Sequence, residues 1–133
     1  MHEDIVRQIF AQIERAIRLL FTVGVALNII LAIVNSVMAG FLADPYKPAS
    51  AKLWIIFFIF LGSGLLFNIL CITGINDRKI KRERLLESFL ASQGSADPRM
   101  YESLGVGTNT AVLIGILLIL TFIALGVPII ILI

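Results

Sequence analysis

Gly24, Asn28, Ala32, Ser36 and Gly40 recur at every fourth position of one apolar stretch, and Asn35 lies beside them. Residues of these types do the chemistry of helix contact. Small side chains let two backbones approach, and an asparagine in an apolar setting seeks a polar partner across the contact. Spacing by fours keeps the five residues near one face of an α-helix. A second stretch repeats the pattern with Gly64 and Asn68, and Cys71 continues that face. The leading expectation is packing between these two helices, with Asn28 or Asn35 bonding to Asn68. A rival reading places copies of the first helix around a pore lined by Asn28, Asn35 and Ser36. A third makes the face a dock for another protein.

A second chemistry is electrostatic. Arg78, Lys79, Lys81, Arg82 and Arg84 follow directly on the second apolar stretch. Cations so placed attract anionic lipid headgroups at about 1 kcal/mol per charge, or contact a partner. Their ordinary role is to set membrane topology.

Covalent chemistry has little to work with. Ser36, Ser63 and Thr121 lie in apolar stretches without a histidine or lysine to activate them. A single cysteine and a single histidine, Cys71 and His2, permit neither a disulfide within the chain nor a zinc site. The apolar stretches also lack the ionisable groups that pumps, proton-coupled exporters and intramembrane metalloproteases use. Glu83 and Glu87 sit among basic residues and balance them. The expectation is a protein that is not an enzyme and carries no cofactor or metal.

The elements that position these residues follow from hydropathy. Hydrophobic residues make up 59% of the 133 and charged residues 15%, against roughly 45–50% and about 25% in soluble domains. Mean hydropathy is +0.98. Residues 19–43, 53–76 and 103–133 contain no charged side chain. Each run exceeds the roughly 20 residues that cross about 30 Å of hydrocarbon. Backbone groups in lipid must bond within their own segment, which makes each run a helix. The predicted fold class is an all-α membrane protein with three transmembrane helices, over 19–43, 53–76 and 108–133. Charges spread through the first eighteen residues do not fit a cleaved leader.

The connections differ in kind. Residues 44–52 are short and contain Pro45 and Pro48, which end the first helix and make spans one and two antiparallel neighbours. Tyr46 and Trp54 flank this link as interfacial aromatics do. Residues 2–18 carry Ile5, Ile9, Ile13, Ile17 and Leu20 as an apolar stripe, with Arg7, Glu14, Arg15 and Arg18 mostly off it. Residues 77–93 contain no glycine or proline and place Ile80, Leu86 (or Leu85), Phe89 and Leu90 at helical spacing. Both segments are expected to prolong spans one and two and to pack together as a cytoplasmic amphipathic helical hairpin. The alternative is that they lie flat on the bilayer. The loop 94–107 is expected to hold a short helix from Asp97-Pro98 to Leu104, and Thr108 or Asn109 to cap the third span.

Orientation follows from basic residues. Arg7, Arg15, Arg18, Arg78, Lys79, Lys81, Arg82, Arg84 and Arg99 fall on one side, and only Lys47 and Lys52 on the other. The positive-inside rule then predicts a cytoplasmic N-terminus and an external C-terminus, in a bacterial-type plasma (inner) membrane. Charges that bracket apolar runs form no basic face for nucleic acid. The functional expectation is a small non-enzymatic membrane protein whose partners are the bilayer and either copies of itself or a larger membrane complex, met through the small-residue face of span one. The alternative is a homo-oligomeric channel or membrane-permeabilising effector.

Overall fold

The computed structural model describes residues 3–48, 50–93 and 109–133, all helical apart from the short connections. Helix α1 runs Glu3–Leu42, α2 runs Ala51–Gln93, and α3 runs Thr110–Leu132. Each is long and apolar enough to cross a membrane. The short helix expected between Asp97 and Leu104 lies outside the described residues.

Local chemistry sets the helix ends. The backbone of Tyr46 donates to Asp44 Oδ1 at 2.9 Å, an Asx-type turn that closes the link after α1. Ser50 precedes α2, and its hydroxyl accepts from the Leu53 N–H at 3.4 Å. Of the two residues expected to cap α3, Asn109 is the one that does so, its side chain accepting from the Val112 N–H at 3.4 Å. Tyr46 is 91% exposed, and Trp54 stacks on Phe58.

Helix α1 packs along both other helices, and α2 and α3 touch each other less. Glu14 meets Arg82, Asn28 meets Asn68, and Ala39 packs with Phe57, so α1 and α2 are antiparallel. Gly24 faces Leu117 and Leu132 packs beside Ala39 and Leu42, so α3 is parallel to α1.

Buried positions recur by sevens. On α1 they include Phe10, Ile17, Gly24 and Leu31 in one row, with Glu14, Asn28, Asn35 and Leu42 in the next. On α2, Phe57, Gly64 and Cys71 form one row and Asn68, Ile75 and Phe89 another. On α3, Thr110, Leu117 and Ala124 alternate with Thr121 and Pro128. A seven-residue repeat is the signature of left-handed helix packing, because 3.5 residues per turn keeps one seam facing the neighbour.

That period shifts the stripe expected at the start of α1. Val6 and Phe10 are buried with Glu14 and Ile17, whereas Ile5 and Ile9 are 51% and 40% exposed. Spacing by fours rotates about 40° per step around a helix of 3.6 residues per turn. The isoleucines at 5 and 9 therefore leave the seam that Ile17 occupies, and Glu14, expected off the stripe, lies within it.

Candidate functional site

The apolar middle of the bundle holds a closed amide pair. Asn28 Nδ2 donates to Asn68 Oδ1 at 2.6 Å, and Asn68 Nδ2 donates back to Asn28 Oδ1 at 2.8 Å. Each amide turns its second N–H to the carbonyl one turn earlier on its own helix. Asn28 Nδ2 reaches Gly24 O at 2.9 Å, and Asn68 Nδ2 reaches Gly64 O at 2.8 Å. Both side chains are 2% exposed. All four donors of the pair are used, as a buried amide requires.

The glycines make the approach possible. A Cβ on Gly64 would come 2.9 Å from Leu31 Cδ1, and one on Gly24 would come 2.9 Å from Leu117 Cδ2. Each leucine therefore fills the notch that its facing glycine leaves. Neither Leu31 nor Leu117 belongs to the small-residue pattern. They become visible only as the large partners of the two glycines.

The remaining small-face residues are not brought to this seam. Ala32 and Ser36 are half-buried, and Gly40 is exposed with nothing within 4 Å of the position its Cβ would take. The reason is the same rotation: four steps of four residues turn the face by about 160° between Gly24 and Gly40. The stripe starts inside the bundle and ends outside it. A shallow recess lined by Val37, Gly40, Phe41, Ala43, Asp44 and Pro45 opens at that outer end.

Asn35 differs from its neighbours. It is 1% exposed, and neither its Oδ1 nor its Nδ2 has a hydrogen-bond partner. The parallel register set by Gly24 with Leu117 brings it level with Pro128, which is also fully buried. Proline has no N–H, so the Ala124 carbonyl at this height lacks its helical donor.

At the charged end, Arg82 Nη1 donates to Glu14 Oε1, with the side chains 13% and 11% exposed. Val6, Leu86 and Phe89 are buried next to each other there. The basic run is thereby split. Arg82 is engaged inside the contact, Lys81 pairs with Asp77 at 3.2 Å on the surface, Arg84 is exposed, and Arg78 and Lys79 are half-buried. Sequence reasoning missed Glu14 as the partner of Arg82. Its signal was available, since an acid falls between Phe10 and Ile17 at seam spacing.

Comparisons with protein-family models, with curated proteins and with solved structures return no match.

Proposed function

We propose that this chain is a non-enzymatic membrane subunit that associates with further copies of itself, or with a larger membrane complex, through the outer half of the small-residue face of α1. The observation that carries this reading is the course of that face. Gly24 and Asn28 are consumed within the chain, while Ala32, Ser36 and Gly40 run on, one turn apart, toward the bundle's exterior. In lipid there is no hydrophobic drive between helices, so association relies on close backbone approach, and small residues at i, i+4 and i+8 permit it. Val37 and Phe41 beside Gly40 are 53% and 65% exposed and offer flanking contact area. The pore reading draws less support, because Asn28 and Asn35 are 2% and 1% exposed and would have to leave the interior to line a channel.

In this reading the charged ends of α1 and α2 stand in the cytoplasm as a hairpin, and the link bearing Lys47 and Lys52 stands outside. The charge asymmetry supports that orientation.

Crosslinking in native membranes tests the association. Ala32→Leu combined with Gly40→Leu should reduce crosslinked species at least about tenfold, in keeping with loss of a close-packed helix contact. Gly62→Leu, on an equally open glycine of α2, should leave them unchanged. A chain that is monomeric both before and after substitution refutes the proposal. Labelling of cysteines placed at 47 and 84 from opposite sides of the membrane tests the orientation.

A further inference from the structure

The helix register gathers cations that are scattered in the sequence. With Glu14 against Arg82 and Asn28 against Asn68, Arg18 comes level with Arg78, and Arg15 with Lys81. Helix α3 starts at the same height, since the register of Gly24 with Leu117 sets Thr110 level with Ile17. The charge-free runs of α1 and α2 begin and end there too, at Leu19 and Asn76. For a spanning bundle, this is the height at which hydrocarbon gives way to headgroups.

Among the described residues, the acids nearest this height are paired. Glu14 binds Arg82 and Asp77 binds Lys81. Arg15, Arg18, Arg78 and Lys79 make no ion pair among the described residues; Arg78 Nη1 only reaches back to Gly74 O at 3.4 Å. Arg15 and Arg18 are exposed, and Arg78 and Lys79 half-buried, as expected of long side chains lying along apolar surface with their heads in a polar layer. The positive end of the α3 dipole adds to the same potential.

We infer that Arg15, Arg18, Arg78 and Lys79 form a belt that binds the phosphodiester headgroups of anionic phospholipid in the adjoining leaflet. The belt differs from the basic run as read in sequence. It excludes Lys81 and Arg82, which pair with Asp77 and Glu14, and it recruits two arginines from α1. Its binding rests on the chain spanning a bilayer and is independent of self-association.

The test uses the full-length chain reconstituted in nanodiscs of equal parts phosphatidylcholine and phosphatidylglycerol, with retained lipid measured by native mass spectrometry. Wild type should retain phosphatidylglycerol over phosphatidylcholine by at least about fivefold, the effect of one interfacial charge. The preference should shrink in about 0.5 M salt, where surface charges are screened. Combined Arg15→Gln, Arg18→Gln, Arg78→Gln and Lys79→Gln should abolish it, while Lys81→Gln with Arg84→Gln should keep it. Should the fourfold variant fail to fold, Arg18→Gln alone should lower the preference measurably. Equal retention of both lipids by wild type overturns the inference, as does a preference indifferent to salt or lost only in the Lys81/Arg84 variant. A monomeric chain that keeps the lipid preference would refute the proposed association and leave the belt standing.

Discussion

The contact between α1 and α2 keeps one seven-residue spacing along its length, yet its two ends are built from opposite materials. At the charged end the seam residues are large: Val6, Phe10, Leu86 and Phe89, around the Glu14–Arg82 pair. In the apolar middle they are small or amide-bearing: Gly24, Asn28, Gly64 and Asn68. In the topology proposed above, with water around the charged end and lipid around the middle, the contrast follows from the solvent each end would otherwise meet. Where water is the alternative, burying apolar surface gains roughly 25 cal/mol per Å², and a phenylalanine is the efficient choice. Where lipid is the alternative, a leucine gains little by moving from lipid to protein, so close backbone approach and polar pairing hold the helices instead. In that topology one helix pair changes its stabilising force partway along without changing its geometry.

The largest test of this contrast is Phe89→Ala. Truncating so buried an aromatic in water should cost about 3 kcal/mol. Hydrogen exchange should accelerate at the backbone amides around Val6 and Leu86 and stay slow around Asn28. Acceleration in both places would mean that the two ends open as one unit, and the contrast would fail.

Next comes the ion pair. Arg82→Met should destabilise the charged end by about 3 kcal/mol, since it removes a partner of the buried Glu14 carboxylate. Adding Glu14→Leu should recover most of that loss in a double-mutant cycle. No recovery would show that the pair is a net stabiliser in its own right.

A smaller effect is expected of Gly64→Leu, about 2 kcal/mol in bicelles by steric trapping, because the added side chain collides with Leu31. Gly40→Leu, open on the outside, should leave monomer stability within about 0.5 kcal/mol. The two asparagine substitutions are expected to carry opposite signs. Asn68→Leu should lower stability by about 1 kcal/mol by stranding the Asn28 amide, whereas Asn35→Leu should raise it by a similar amount by removing an unpartnered one. A loss of stability in Asn35→Leu would reveal that Asn35 has a partner in the membrane.

Much of the helical architecture was legible in advance because it depends on quantities a single chain carries. Charge-free runs longer than a bilayer is thick imply helices, and the three long apolar helices are there. Part of the seam was legible too: Asn28 with Asn68 was one of two pairings that small-residue spacing allowed. The choice between Asn28 and Asn35 was not readable, because both lie near the same face of α1 and only the height of Asn68 on the neighbouring helix separates them.

The amino-acid order alone therefore determined where helices form and which stretches avoid water, since both depend on backbone bonding and hydropathy along one strand of chain. Tertiary structure decided which azimuth of each helix meets a neighbour. A stripe spaced by fours and a seam spaced by three and a half agree at Gly24 and Asn28 and diverge by Gly40. The same packing took Arg82 out of a basic run by setting Glu14 against it, and buried Asn35 without a hydrogen-bond partner. A side chain's partner is a property of two helices at once, and no single helix encodes it.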